Sequence, residues 1–392
     1  MHKQLVISGV GVAFPGGLTT GSLFDKLLGE TACSNSSSRF ALEKYGNPTL
    51  IEFDNVVLKI LNQAYPSTSI TESSLGYAVR SALLDAKLPL INISASSARG
   101  ALLIGTTTAG IERTEHYYVN SHVALISSQV DDIISRVISQ TGLCGPQLVI
   151  SNACSSSLMA LGLACDFLHA NQADFVVVGG VDVLLEYTIG GFSRLGLTAQ
   201  TTCRPFAENR DGIVLSEGAA ICVVEPLDAA LKRGATIHGA ILGYGESCDA
   251  KGVAAPNSIG IERAINSAFS QMKQNYSEQE IGMIFCHGTG TKANDLAEAE
   301  AIRSVFANSP PLSAVKSALG HSQAASGIFS VISALESLSR GIIPPVLHTT
   351  KVAAEFADLD IVLKTREHMT SSALVTACGF GGTNACVILG AV

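Results

Sequence analysis

The sequence predicts an α/β fold whose parallel or mixed sheet is covered by helices on both faces. Three observations carry that expectation. Short Val/Ile-rich runs alternate with longer Ala/Leu-rich segments, the apolar runs are continuous rather than alternating, and the rhythm restarts beyond the middle of the chain. A continuously apolar strand is buried on both faces, and helical crossovers are what bury it.

The strand-like runs of the first part are LVISGVG at 5–11, ALLIGT at 101–106, QLVIS at 147–151, FVVVGG at 175–180 and AAICVVE at 219–225. The second part has AILGYG at 240–245 and GMIFCHG at 282–288. Helical DLAEAEAIRSVF at 295–306 and ASGIFSVISALESLSRG at 325–341 follow, and a final hairpin-like pair ends in CVILG at 386–390. The two parts read as a duplicated α/β unit, an N-terminal half over 1–230 and a C-terminal half over 231–392, joined near 226–240. Ser/Thr-rich patches at 34–38 and 66–74 read as surface loops.

Composition narrows the class. Of 392 residues 47% are hydrophobic and only 15% charged, which excludes a disordered chain and allows a core that needs no disulfides. Apolar stretches are cut by Gly or polar residues long before the ~20 needed to span a bilayer. The N-terminal apolar run is broken by Gly9, Gly11 and Pro15 with no cleavage site after it, so it reads as the buried first strand of a cytoplasmic protein. The net charge of −8, with no basic run, argues against nucleic acid. The ten cysteines contain no C-x-x-C pair, so neither a metal site nor a disulfide framework is expected, and most are small buried residues in a reducing compartment.

One cysteine stands apart. In SNACSSSLMALGLACDFLHA at 151–170 a strand ends, a polar turn holds Cys154, and a helix that is apolar nearly all round begins. A thiol at a helix N-terminus meets the positive end of the dipole and free N–H groups, which favour thiolate and offer an oxyanion site. The alternative is a buried structural Cys. His287 sits just past a strand in FCHGTGTKANDLAEAEAI at 285–302, before a helix opened by Asn294 and Asp295. Thr289 and Thr291 there offer hydroxyls to a polar chain entering a tunnel, or the segment is a capped turn with a core His. VKSALGHSQAASG at 315–327 sets Lys316 five residues before His321. TACGFGGTNACVIL at 376–389 makes a permissive loop around Phe380; no helix and no Lys-Ser/Thr follow, which disfavours phosphate binding. In CRPFAENRDGIVLSEGAA at 203–220, Arg204, Arg210, Asp211 and Glu217 read as a structural turn. One Cys and two His on separate strand-end loops suit acyl transfer followed by carbon–carbon bond formation, with water kept out.

Together, ACSSS around Cys154, HGTGT from His287, K-S-x-x-G-H from Lys316 to His321, and GFGGTN from Gly379 to Asn384 resemble the elongating, two-histidine 3-oxoacyl-[acyl-carrier-protein] synthases. The resemblance covers essentially the whole chain. It implies a thiolase-like five-layer αβαβα fold of two duplicated halves, with sites near a homodimer interface or a heterodimer interface with a related synthase or chain-length-factor subunit. It implies Cys154 as the nucleophile acylated from an acyl carrier protein. His287 and His321 would stabilise the enolate formed when malonyl-carrier protein loses CO2. Lys316, paired with Glu298, would orient His321. The N–H groups of Cys154 and Phe380 would form the oxyanion hole, with Phe380 also a gate. Thr289 and Thr291 would contact the phosphopantetheine arm, and Thr108 falls near the acyl pocket across the dimer interface. The implied chemistry needs no cofactor beyond the phosphopantetheine carried by the substrate protein.

The sequence departs from the family's commonest pattern at Asn152, Ala207, Ser216 and VAAP 253–256, and the segments 30–75 and 195–203 look short. These departures hint at a specialised aryl-polyene or polyketide-like system rather than housekeeping fatty-acid elongation. A coenzyme A-dependent thiolase, with Cys378 as its second cysteine, is the nearest enzymatic alternative. HGTGT and Lys316 argue against it, and a His in the second loop disfavours the His/Asn initiating synthases. A non-catalytic chain-length-factor subunit is disfavoured by the presence of Cys154 and both histidines. Docking of an acidic carrier needs a local basic patch, for which Arg194, Arg204 and Lys251 are candidates.

Overall fold

The computed structural model describes residues 3–29, 39–67, 69–89, 98–108, 110–119, 130–249, 251–252, 254–272 and 281–392. Among these, ten strands form one mixed sheet. They are β1 (Leu5–Ala13), β2 (Gly100–Gly105), β3 (Gln147–Ile150), β4 (Phe175–Asp182), β5 (Gly218–Pro226), β6 (Gly239–Cys248), β7 (Ile284–Phe285), β8 (Leu312–Ser313), β9 (Ser372–Gly379) and β10 (Thr383–Gly390). Their spatial order is β8-β7-β9-β10-β6-β1-β5-β4-β2-β3.

The duplication is explicit in that order. From its outer edge the first half reads β3-β2-β4-β5-β1 and the second β8-β7-β9-β10-β6, so adding five to each number converts one into the other. Strand directions match as well. In the first half β2 is parallel to β3 and β4, and β5 is antiparallel to β4 and β1. In the second, β7 is parallel to β8 and β9, and β10 is antiparallel to β9 and β6. A short antiparallel pairing of Leu5–Ile7 with Gly239–Ile241 joins the halves.

Helices complete five layers. The first outer layer holds α1 (Ile70–Asp85), packed on β1 and β5, and α2 (Val130–Thr141), packed on α1. The central layer holds α3 (Ser156–His169) and α6 (Ser326–Arg340), which touch each other and strands of both halves. The second outer layer holds α4 (Ser258–Gln271), on β6 and β10, with α5 (Lys292–Val305) beside it. α3 lies between strands of both halves, which is why it buries one face through Leu158, Leu161, Cys165 and Leu168, with Ala160 and Ala164 buried beside them, and leaves Asp166 exposed. The two central helices occupy the same place in their halves, so the loops that precede them meet. No helix of the described residues is long and apolar enough to cross a membrane.

Two sequence expectations change. Of the patch at 66–74 only the start reads as expected, with Pro66 exposed in a loop; Thr68 lies outside the described residues, Ser69 caps α1, its hydroxyl accepting from Glu72 N, and Thr71 to Ser74 are buried. The hydroxyls that suggested a loop are satisfied inside the first turn. Ser74 donates to Ile70 O, and the buried Glu112 carboxylate accepts from Ser69 Oγ and from the N–H groups of Ile70 and Thr71. The run at 282–288 is a strand only over Ile284–Phe285. The patch at 34–38 and Val253 lie outside the described residues.

Candidate active site

Cys154 occupies the turn between β3 and α3. Ala153 before it is in the left-handed region (φ 51°), a conformation that costs an alanine about 1 kcal/mol or more and persists only where the surroundings impose it. Here two serines impose it. Ser156 Oγ accepts from Asn152 N at 2.8 Å and donates to Ala153 O at 2.6 Å, while Ser155 Oγ donates to Asn152 O at 2.8 Å. Thr383, in the Gly-rich loop of the other half, also bonds Asn152 O, at 3.2 Å. The Phe380 N–H from that loop and the N–H of Cys154 itself are both directed at the Cys154 sulfur.

His321 reaches the same sulfur from the second half. Its backbone is held by Val214 O and Ser216 N, and its Nε2 lies 3.1 Å from Cys154 Sγ. Nδ1 faces the Gln323 N–H at 3.2 Å and the Ser326 hydroxyl at 2.9 Å. A backbone N–H can only donate, so Nδ1 is the lone-pair nitrogen and the hydrogen sits on Nε2. His287 meets His321 edge to face, with ring centroids 5.4 Å apart. The Lys316 ammonium donates to His287 O at 2.7 Å and to His287 Nδ1 at 3.2 Å, which again leaves the ring hydrogen on Nε2. His321 therefore donates towards the sulfur, and His287 carries its ring hydrogen on Nε2 in the same cavity.

Lys316 does not pair with Glu298 or orient His321. The Glu298 carboxylate is taken up by His287 N at 2.6 Å, Gly288 N at 2.9 Å and the Thr376 hydroxyl. Lys316 opens a single helical turn, Lys316–Leu319, just after β8, and the parallel neighbour of β8 is β7, whose end carries His287. The parallel pairing decides which histidine the lysine meets. Asn294 and Asp295 do not open α5 either. The helix starts at Lys292, and Asp295 reaches back from its first turn to Gly290 N and Phe206 N, fixing the HGTGT loop.

The electrostatics also depart from expectation. Burial pushes the Cys154 thiol up to about 11, against the partial opposition of the Lys316 charge and the N–H groups of Phe380 and Cys154. Loss of water around the sulfur outweighs the helix start, whose first turn begins two residues later. Burial first, and then the Lys316 charge, holds His287 and His321 well below the ordinary imidazole value, so both are neutral donors. Lys316 is itself pulled down by burial, partly offset by the surrounding thiols and Glu298.

Cys154, His287, His321, Thr289, Thr291 and Phe380 all line one cavity of about 360 Å³. The hydroxyls of Thr289 and Thr291 lie 3.0 Å apart, and the Phe380 ring packs on Phe192 at 5.3 Å between centroids. Cys378 borders the same space. Thr108 is not brought into it; its hydroxyl and N–H are both held by Asp182. Arg194 and Lys251 are exposed, whereas Arg204 is engaged by Asp211 at 2.7 Å. The other turn residues are structural: Arg210 pairs with Glu355, and Glu217 accepts from the N–H groups of Phe53 and Leu184. Among the described residues no cluster of His, Cys, Asp or Glu could hold a metal ion.

Sequence reasoning missed Asp182. This fully buried carboxylate accepts from Thr106, Thr107, Thr108 and the Ala324 N–H, tying the end of β4 to the turn after His321. An acid ending an otherwise apolar strand was the available signal. Ser326 carried none, being one serine among many.

Family models match in two consecutive pieces: Beta-ketoacyl synthase, N-terminal domain, over residues 2–230, and Beta-ketoacyl synthase, C-terminal domain, over 238–350. The Nodulation protein E of Rhizobium sp. (strain N33) is 34% identical over 255 residues, which span 64% of this chain and 63% of that protein, just under two thirds of its length. The chloroplastic 3-oxoacyl-[acyl-carrier-protein] synthase I of Hordeum vulgare is 27% identical, over 99% of this chain and 89% of that protein. Among solved structures, the ishigamide ketosynthase/chain length factor superposes with a TM-score of 0.90 at 28% identity, covering all of both chains.

Proposed function

The chain belongs to the beta-ketoacyl synthase family of condensing enzymes, and from that premise we propose that it catalyses the decarboxylative Claisen condensation of an acyl-enzyme thioester with a malonyl-carrier protein. The product is a 3-oxoacyl-carrier protein, lengthening a fatty-acid or polyketide-type chain. The observation that carries this reading is the convergence on one sulfur of the His321 Nε2–H and two backbone N–H groups, inside a cavity that His287, edge to face with His321, also lines.

In the first half-reaction Cys154 Sγ attacks the thioester carbonyl of an acyl-carrier protein. The oxyanion is met by the N–H groups of Cys154 and Phe380, and the carrier leaves as its thiol, taking the proton that Cys154 gave up. Malonyl-carrier protein then enters the same cavity. Its carboxylate departs as CO2 and the bonding pair stays on the α-carbon as an enolate, whose oxygen accepts from His287 and His321 Nε2–H. The α-carbon attacks the acyl carbon, the C–S bond to Cys154 breaks, and the sulfur regains a proton from solvent. Thr289 and Thr291 line the path of the phosphopantetheine arm, and Phe380 gates it. Lys316 and Glu298 act through His287, the lysine on its ring and the carboxylate on its backbone. No resident cofactor is needed.

An acyl carrier protein is the proposed substrate-bearing partner, supported by the substrate named for the barley relative. Arg194 and Lys251 are the exposed candidates for its docking. A second chain, identical or a related subunit, is proposed at β3. Among the described residues that strand is an edge of the sheet, its first two residues, Gln147 and Leu148, are exposed, and Leu148 is 41% exposed; an exposed sheet edge invites another strand. The described cysteines are all free thiols, which supports a reducing compartment such as the cytoplasm.

Intact-mass analysis after incubation with acyl-carrier proteins of varied chain type tests the reading. A stoichiometric acyl adduct, discharged on adding malonyl-carrier protein with release of CO2 and a 3-oxoacyl product, is expected. An adduct that malonyl-carrier protein never discharges would leave only a non-condensing acyl carrier and sink the proposal.

A further inference from the structure

Resting on the condensation chemistry above, we propose that Ser326 is a positioning residue for the carbon–carbon bond-forming half of the cycle, holding His321 so that its Nε2–H faces the Cys154 sulfur. The Ser326 hydroxyl is 2.9 Å from His321 Nδ1, closer than the Gln323 N–H at 3.2 Å. Because the N–H selects Nδ1 as the acceptor, the hydroxyl donates to the same lone pair and is the shorter of the two bonds that fix the ring. Ser322 Oγ lies 3.3 Å from Ser326 Oγ and completes its hydrogen bonding. His321, Ser322 and Ser326 are each 4% exposed or less, so bulk water cannot replace the hydroxyl.

The hydroxyl is free for this task and held in place for it. Ser326 is the first residue of α6, yet the helix has no side-chain cap, so its oxygen serves the histidine instead. The turn that brings it there is pinned from the other half. Asp182 accepts from Ala324 N at 2.8 Å, and the Thr107 hydroxyl bonds Gln323 Oε1 at 3.0 Å, holding Gln323 at φ 49°. The charged and titratable groups around His321 are Cys154 at Nε2, Lys316 and His287 on the cavity side, and Asp182 behind the turn. Among the described residues no carboxylate touches Nδ1, so nothing there rewards a proton. Without the hydroxyl the ring keeps only the longer backbone contact, can turn about its side-chain bonds, and exposes a lone pair to protonation.

Ser326→Ala removes one oxygen at a helix position that suits alanine, and a thermal melt checks that the fold is kept. Acyl loading of Cys154 by intact mass should match the parent. The kcat for malonyl-dependent condensation should fall about threefold to tenfold, the size of one hydrogen bond, with KM for malonyl-carrier protein unchanged. The acid limb of the kcat profile should move to higher pH. Ser322→Ala, which leaves the hydroxyl on Nδ1, should keep kcat within about twofold of the parent, well short of one hydrogen bond. Parental kcat and acid limb in Ser326→Ala, an equal fall in loading and condensation, or an equal loss in Ser322→Ala would each overturn the assignment. A parent chain that fails to load or condense would instead overturn the condensation chemistry itself.

Discussion

His321 Nε2 lies 3.1 Å from Cys154 Sγ although 167 positions separate the two residues. Each stands just ahead of the central helix of its own half, α3 for Cys154 and α6 for His321. Duplicating the α/β unit places equivalent loops face to face, and the site is the seam between them. Cys154→Ser replaces the more nucleophilic and better-leaving atom, so no acyl adduct should form on it. A full acyl mass shift on that variant would move the nucleophile elsewhere.

The two histidines should separate from the cysteine in kinetics. His321→Ala removes a donor needed only as charge builds on the malonyl thioester oxygen, so loading should persist while decarboxylation falls about 100- to 1,000-fold. Single-turnover loading and CO2 release measured on the same preparation test this. Equal loss of both steps contradicts the role.

Lys316 touches His287 and not His321, which makes a sharper test than either single variant. If the lysine works through His287, Lys316→Ala should add little to the defect of His287→Ala, yet multiply that of His321→Ala. Condensation rates across the two double-mutant cycles decide it. The reverse pattern would restore the pairing expected from sequence.

That reversal marks where the sequence stops being legible. The α/β class, the duplicated halves and the segments carrying Cys154, His287, His321 and Phe380 could be read from apolar runs and local motifs, because each is a short-range pattern. The partner of Lys316 could not, since it depends on which strands lie side by side, and β8 pairs with β7 only in three dimensions. The thiol's environment was misjudged for a related reason. A helix start is visible in sequence, but the burial that outweighs it arises from loops of both halves. Asp182 and Ser326 act across folded distance and left no periodic trace.

The pH dependence of the free thiol follows from that burial. With the Cys154 thiol pushed up to about 11, only about one sulfur in ten thousand is thiolate at pH 7. The thiolate fraction rises as pH approaches the raised value, so the rate of alkylation by iodoacetamide should climb about tenfold per pH unit from neutrality to about pH 10. Lys316→Ala removes a charge that favours the thiolate and should slow alkylation most near neutral pH, the difference shrinking as the lysine, itself pulled down by burial, loses its proton at higher pH. A rate that levels off near neutral pH would show that the helix start prevails after all.

The end of β2 sets how closely the nucleophile's helix can approach the sheet. A Cβ on Gly105 would stand 2.5 Å from Ser157 N and 2.7 Å from Ser156 C, both backbone atoms of the first turn of α3. No rotamer change relieves such a contact, so Gly105→Ala must push the start of the helix away from β2. Ser156 also clamps Ala153 O and Asn152 N, so the shift is transmitted to the Cys154 turn and to the bond with Thr383. Overpacking of this kind costs about 1–3 kcal/mol, and the loading rate should fall with the melting temperature because one displacement causes both. Gly105→Ala with parental Tm and parental loading would mean that the helix start yields freely, and the tight seating proposed for the nucleophile would be wrong.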